Sequence, residues 1–472
     1  MSLAAIPTEP IVAPEARLTV DLDLARKYDR PVPRYTSYPT ALQFHDFGEP
    51  GPMLRHLAEG NRDGAAPLSL YVHLPFCESL CWFCGCTTVI TTNRGMAARY
   101  LDYLGREIDL LGRQVHPGRR VGQLHFGGGT PTFFDAAQLT RLMGMLRRYF
   151  TFEPGAELSV EIDPRRVGRE QIDALAAAGF TRASLGVQDF NPAVQLAIHR
   201  IQPRAQTEQV IAWLRAAGFT SINLDLIYGL PLQTPGTFAD TLAQVQELAP
   251  ERLAVFSYAH VPWMKPAQRI LEDRNPLPPP DAKLAMFKLA AEMLTGGGYA
   301  CIGLDHFARP DDELAVAQAA GTLQRNFQGY STRAGAEVLG FGLSAISQTA
   351  RSYRQNHKDL VAYYAALDAG VVPFTRGLEL SAEDVRRREI IMRLMCRLEL
   401  DYGQLSRDLD CDFAAVYAPE LARLQPFAAD GLVELAPDGL RVTPSGRLFL
   451  RPLAACFDAY FAADAARHAR AV

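Results

Sequence analysis

Four cysteines, Cys77, Cys81, Cys84 and Cys86, fall within ten residues of a chain that has eight, while Cys301, Cys396, Cys411 and Cys456 are scattered. A tight group of thiols in a chain this poor in cysteine points to metal or redox chemistry, not to a disulfide scaffold. Thiolates are soft ligands suited to iron–sulfur clusters, zinc or copper(I). Structural zinc ordinarily takes two separated C-x2-C pairs, and no second pair is present. A ferredoxin-type carrier takes four cysteines, one of them distant. The C-x3-C-x2-C spacing of Cys77, Cys81 and Cys84 supplies three thiolates to a 4Fe–4S cluster and leaves one iron open for a small ligand. Cys86 is left out of that set, because Cys84-Gly85-Cys86 is too short to reach around a cube its neighbour already holds. Four unconnected, buried apolar cysteines would not normally cluster.

Positioning such a loop takes a scaffold, and the chain has the rhythm of one. β-rich runs at Leu68–His73, Gln123–Phe126, Glu157–Ile162, Arg182–Val187, Ser221–Ile227 and Arg252–His260 alternate with segments of helical period such as Ala97–Arg113, Asp135–Phe150, Glu170–Ala178 and Thr237–Leu248. Alternating strands and helices mean βαβ units and a parallel sheet, here enough for a (β/α) barrel, complete or partial. The turns Ala178-Gly179-Phe180-Thr181 and Ala217-Gly218-Phe219-Thr220 resemble one another, with glycine as the expected helix cap, and Gly298-Tyr299-Ala300 precedes another strand at Cys301–Leu304. Polar residues follow the strands at Gly127–Thr130, Glu161 with Asp163, Gln188 with Asp189, Asp225, and Tyr258 with His260. Barrel active sites sit at that C-terminal rim.

Three parts are expected: an extended Pro-rich arm over residues 1–50, a barrel domain over 51–372, and a smaller, mostly helical, winged-helix-like cover over 373–472. The last part contains a long Arg-rich helix (Ala382–Leu398) and a hairpin through Pro437-Asp438-Gly439 with an Asp-Gly turn. The 472 residues carry 48 Lys+Arg against 52 Asp+Glu, which argues against binding nucleic acid by phosphate neutralisation. With 48% hydrophobic and 21% charged residues the composition is globular. No apolar run reaches the ~18–20 residues of a membrane span. The first residues lack a basic start followed by an apolar core, so a cytoplasmic location is expected. No heptad pattern is present, and a monomer is the default expectation.

C-x3-C-x2-C after the first strand of a barrel resembles the signature of the radical S-adenosylmethionine enzymes. Seven blocks sharpen the resemblance: PRYTSYPT (33–40), YVHLPFCESLCWFCGC (71–86), HFGGGTPT (125–132), GVQDF (186–190), DLIYGLP (225–231), DHFARP (305–310) and RNFQGY (325–330). In this order they are similar to those of the oxygen-independent coproporphyrinogen III oxidases, over roughly residues 22–460. The resemblance implies that Cys77, Cys81 and Cys84 hold the cluster. It implies that Tyr71, Gly128, Glu161 and Ile346 contact the S-adenosylmethionine on the open iron. Phe83, Gly129, Thr130, Gln188, Arg200, Asp225 and Ala259 match positions assigned to a second S-adenosylmethionine. His199 departs from the pattern, which has Asn before the arginine.

The implied reaction begins when a flavodoxin- or ferredoxin-like donor reduces the cluster, which passes one electron to the sulfonium. The resulting 5′-deoxyadenosyl radical takes a hydrogen from a propionate of coproporphyrinogen III. Loss of carbon dioxide and one more electron leaves a vinyl group, and two such events give protoporphyrinogen IX. The propionates are anionic, so Arg34, Arg309 and Arg325 are candidate contacts, with Tyr35 as a pocket residue or a pin for the arm. Arm and C-terminal part are expected to close over the barrel mouth. The neighbouring possibility is a haem-binding chaperone related to these oxidases. Such relatives are shorter, lack the PRYTSYPT arm and carry an H-N-x-x-Y-W motif, whereas here only Gln355-Asn356-His357 offers a comparison.

Overall fold

The computed structural model describes residues 17–46, 51–62 and 66–461, so the prolines at 7, 10 and 14 lie outside the described residues. Six parallel strands form its centre: β1 (Leu68–Leu74), β2 (Arg120–Gly128), β3 (Thr151–Ile162), β4 (Arg182–Gln188), β5 (Ser221–Tyr228) and β6 (Arg252–Ser257). The helices Arg94–Gly112, Ala136–Arg147, Arg169–Ala177, Arg204–Ala216 and Pro235–Leu248 join them in turn. Helix starts carry the expected caps: the Asn93 side chain accepts from Gly95 N, and Asp135 forms a capping box with Gln138. Gly179, Gly218 and Gly298 close helices at φ of 95°, 93° and 91°, the left-handed conformation that spares glycine a Cβ clash.

After β6 the alternation stops. β7 (Ala300–Gly303) and β8 (His306–Ala308) form a hairpin in which β8 runs antiparallel to β6. Between them lie two residues, far fewer than the dozen or so that a parallel crossover needs, so the strand must reverse. The expected unit at Cys301–Leu304 is therefore a hairpin arm. A second hairpin, β9 (Gln324–Asn326) and β10 (Gly329–Ser331), stands apart from the main sheet. On the other side β11 (Glu337–Phe341) adds parallel to β1, and β12 (Ile346–Gln348), β13 (Ser352–Asn356) and β14 (Phe374–Glu379) follow antiparallel. The short strand His45–Asp46 pairs with β14 and ends the sheet, which remains an open, partial barrel.

Outward residues on these strands are apolar and lie under the helices. Along β4 the buried set is Ala183, Leu185 and Val187, and along β5 it is Ile222, Leu224, Leu226 and Tyr228. The inward face is the reverse of a packed barrel core, which is dominated by Val, Ile and Leu. It presents Gln123 and His125 on β2, Glu157, Ser159 and Glu161 on β3, Arg182 and Ser184 on β4, and Ser221, Asn223 and Asp225 on β5. Polarity expected at the strand ends thus extends along the whole lumen, which is a chamber of about 260 Å3.

The arm is not extended throughout. Leu22–Tyr28 is a helix capped by Asp21, and the Tyr28 ring stacks on Phe427 at 4.4 Å. The division expected at 373 falls inside the sheet, since β14 runs to Glu379 and the capping box of Ser381 and Asp384 then starts the helix Ala382–Arg397. Beyond it three short strands pair in the order Glu399–Asp401, Gly439–Val442, Val433–Ala436. The hairpin loop is Pro437-Asp438, one residue earlier than the expected Asp-Gly turn, because Ala436 pairs with Gly439. Among the described residues no helix is long and apolar enough to cross a membrane.

Candidate active site

Beyond β1 the chain enters the cysteine loop, held at its root by bonds from Gly129 N to Leu74 O (2.9 Å) and Thr130 N to Phe76 O (2.9 Å). A Cβ on Gly129 would stand 2.5 Å from the Pro75 carbonyl oxygen, so the two segments meet this closely only with glycine there. The sulfurs border one cavity of about 230 Å3, whose lining also includes Phe83, Gly128, Gly129, Thr130, Glu161, Gln188, Arg200 and Asp225. Tyr71 and Ile346 line an adjoining cavity that shares Glu161. Ala259 joins through Gln268, whose Nε2 donates to both Phe83 O (3.0 Å) and Ala259 O (3.3 Å).

Each ligand candidate has a donor or hydroxyl at its sulfur. Cys77 Sγ lies 3.3 Å from Thr130 Oγ1, and Cys84 Sγ accepts from Cys86 N at 3.4 Å. Cys81 Sγ accepts from Arg165 Nη2 at 3.5 Å and Arg200 Nη1 at 3.6 Å. Burial pushes the Cys77 thiol up to about 11, whereas the hydrogen bond from Cys86 draws the Cys84 thiol down. Among the described residues no three Cys, His, Asp or Glu side chains converge as a single ion requires. Three thiols spaced around an open cavity suit a polynuclear group that gives each sulfur its own iron.

Glu161 is the carboxylate at the junction of the cavities. Burial raises its pKa, but His125 Nε2 at 3.3 Å and Gly128 N donating at 3.0 Å outweigh this and hold it below the usual carboxylate value. It is therefore ionised at neutral pH and suited to an ammonium or hydroxyl ligand. Burial drives Asp225 the other way, up to about 6, although Ser184 Oγ donates at 2.9 Å and Asn223 Nδ2 at 2.7 Å. His73 is held neutral by burial. Its Nε2 lies 2.9 Å from Thr87 O and its Nδ1 3.1 Å from the Tyr71 hydroxyl, which fixes the proton on Nε2. Gly128 has φ 114°, and a Cβ there would press into the His73 ring. At the departure noted above, His199 adopts φ 57° and its ring stacks on Trp82 at 5.0 Å, so it still braces the cysteine loop.

The four substrate-contact candidates separate. Arg34 lies beside the end of β6, 3.6 Å from Asp305 and over the Phe256 ring. Arg325 is on the lumen hairpin, over Tyr330 and donating to Tyr35 O at 3.2 Å. Tyr35 is only 1% exposed and its hydroxyl donates to Asp458 at 2.9 Å, so it pins the arm and is not a pocket residue. Arg309 is at the wrong end: β8 runs antiparallel, so the residue after it returns to the start of β6, where Arg309 N meets Glu251 O. Sequence reasoning missed Arg165, His73 and Gln268. His73 carried a signal, since it alternates with Tyr71 on the inward face of β1.

Residues 71–245 match the radical SAM superfamily and residues 380–449 match the HemN C-terminal domain. The chain is 48% identical over 441 residues to the oxygen-independent coproporphyrinogen III oxidase of Escherichia coli, covering 93% of this chain and 95% of that one. It is 45% identical over 442 residues to the Synechocystis enzyme of the same name, covering 93% and 94%. The solved structure described as coproporphyrinogen III oxidase (HemN) from Escherichia coli superposes with a TM-score of 0.89 at 46% identity, covering 94% of this chain and all of that one. The identity runs through arm, barrel and C-terminal part together, and the chain belongs to the oxygen-independent coproporphyrinogen III oxidase family of radical SAM enzymes.

Proposed function

We propose that the protein decarboxylates two propionate side chains of coproporphyrinogen III to vinyl groups without oxygen, giving protoporphyrinogen IX. The observation that carries this reading is the continuity of the cysteine-lined cavity with a polar lumen at Glu161, Ser184 and Asp225. Cys77, Cys81 and Cys84 would hold the cluster, with Cys86 outside the set, and Tyr71, Gly128, Glu161 and Ile346 would receive the S-adenosylmethionine bound to it. When bound, these two groups supply the electron and the hydrogen-abstracting radical.

The chain's own residues do the rest. Glu161 offers a fixed anion for the ligand's amine, and Gly128 and Gly129 admit it close to the backbone. Phe83, Gly129, Thr130, Gln188, Arg200, Asp225 and Ala259 would take a second S-adenosylmethionine. All but Ala259 border the same cavity, which supports that assignment. Arg34 and Arg325 remain the candidates for the substrate's carboxylates. The donor would be a reduced flavodoxin- or ferredoxin-like protein, and the enzyme would act as a cytoplasmic monomer.

The test is an anaerobic assay of iron-reconstituted protein with reductant, S-adenosylmethionine and coproporphyrinogen III. Protoporphyrin appearing together with 5′-deoxyadenosine is the expected result. Deoxyadenosine without any change in the tetrapyrrole overturns the substrate assignment and leaves the radical site standing.

A further inference from the structure

The three cluster cysteines are not electrostatically equivalent. The groups bonded to the Cys77 and Cys84 sulfurs are a hydroxyl and a backbone amide, both neutral, and the cations Lys265 and Arg200 act on Cys84 from beyond bonding distance. Cys81 has two guanidinium groups within 3.6 Å of its sulfur. Both are anchored on one carboxylate: Arg165 Nη2 meets Asp163 Oδ2 at 2.7 Å and its Nε meets Oδ1 at 3.0 Å, while Arg200 Nη2 meets Oδ1 at 3.1 Å. The three side chains are only 8–11% exposed. Two cations and one anion leave one net positive charge beside the Cys81 sulfur.

The arrangement is rigid before any ligand arrives. Asp163 follows β3, and its Oδ1 accepts from Arg165 N at 3.1 Å, a turn that aims the Arg165 side chain back along the carboxylate. Arg200 also donates to Gly186 O on β4 at 2.7 Å, so the group bridges two strand ends and the cysteine loop. An arginine guanidinium does not deprotonate in a protein, so the charge that Asp163 holds in place is permanent. The neighbouring Arg166 differs: it is half-exposed and pairs with Glu78 at 3.0 Å.

We propose that Arg165, held by Asp163, is a positioning residue that sets the cluster's reduction potential through the Cys81 sulfur. The inference rests on the reading that Cys77, Cys81 and Cys84 carry a 4Fe–4S cluster. An external one-electron reductant adds one negative charge to the cluster, and no bond is made or broken in the protein. A fixed cation and N–H donors at a ligand sulfur stabilise the reduced form more than the oxidised one, which raises the potential. A higher potential would ease reduction of the cluster by a one-electron donor.

The test is an EPR-monitored redox titration of the anaerobically reconstituted full chain, without S-adenosylmethionine or substrate, in wild type, Arg165→Gln, Arg165→Lys and Arg166→Gln. At the wild-type midpoint, the reduced-to-oxidised ratio of Arg165→Gln should fall about tenfold, equivalent to about 59 mV for one electron. Arg165→Lys should restore most of that shift, and Arg166→Gln should titrate as wild type. Coincident midpoints for Arg165→Gln and wild type overturn the proposal. If Arg165→Gln loses its iron, Arg165→Lys decides: iron retained near the wild-type midpoint supports a role for the charge, and iron lost again overturns it. A wild-type chain with no cluster signal overturns the cluster reading itself, which separates that failure from failure of the charge argument.

Discussion

Gln268 ties together two loops that the chain separates by 185 residues, and its replacement by leucine isolates that function. The side chain is 1% exposed. Its Nε2 serves the Phe83 and Ala259 carbonyls at 3.0 and 3.3 Å, and its Oε1 accepts from Val261 N at 2.7 Å. Leucine keeps the volume and removes all three bonds. At about 0.5–1 kcal/mol net for each bond, with a further ~1–2 kcal/mol for polar atoms left dry, the loss is about 3–5 kcal/mol. Each 1.4 kcal/mol is a factor of ten, so the open form of the cysteine loop gains at least about 100-fold in population. The assay is iron release from the reconstituted protein to a ferrous chelator, followed beside the melting temperature of the apoprotein. Release should accelerate by about two orders of magnitude, while melting moves by only ~2–5 °C, because the bonds join loops and not the sheet. Unchanged iron release would refute the reasoning, and so would a collapse of the melting temperature.

Three other outcomes are expected. Burial raises Asp225 to about 6, so it is ionised above that pH and neutral below; affinity for the cationic S-adenosylmethionine should be highest above pH 6 and weaken as pH falls through it, a dependence that Asp225→Asn removes and calorimetry reads. The same raised pKa makes the sign for stability opposite, since the folded state holds the proton more tightly and this contribution is lost as pH rises through 6. Arg119 and Glu337 form a buried pair at 2.7 Å with 0% and 8% side-chain exposure; Glu337→Gln strands the cation and should cost about 3–5 kcal/mol in denaturant unfolding, and a loss below 1 kcal/mol would contradict it. Deleting residues 1–45 removes Tyr35 and Tyr38, whose hydroxyls meet Asp458 and Ala459 N; turnover should vanish with the cluster absorbance retained, and normal turnover would refute a role for the arm.

Much of this molecule is legible along the chain. The spacing of Cys77, Cys81 and Cys84, the β/α rhythm from Leu68 to Ser257 and the glycine turns at 179 and 218 are local facts, set by thiolate chemistry and by backbone conformations that neighbouring residues dictate. So is the gathering of Gly128, Glu161, Gln188 and Asp225, because parallel strands bring every strand end to one rim. What needed tertiary structure was anything that depends on strand direction or on a distant partner. Arg309 fell on the opposite rim because a two-residue turn reverses β8, and Tyr35 turned inward because Asp458, more than four hundred residues later, accepts its hydroxyl. The positive charge at Cys81 comes from residues 84 and 119 positions away, and the brace under Phe83 from one 185 away. Spacing selects which chemistry a loop performs, because ligands on one short loop need no other element. The charges and hydrogen bonds that tune that chemistry act through space, and only the folded sheet brings them within reach.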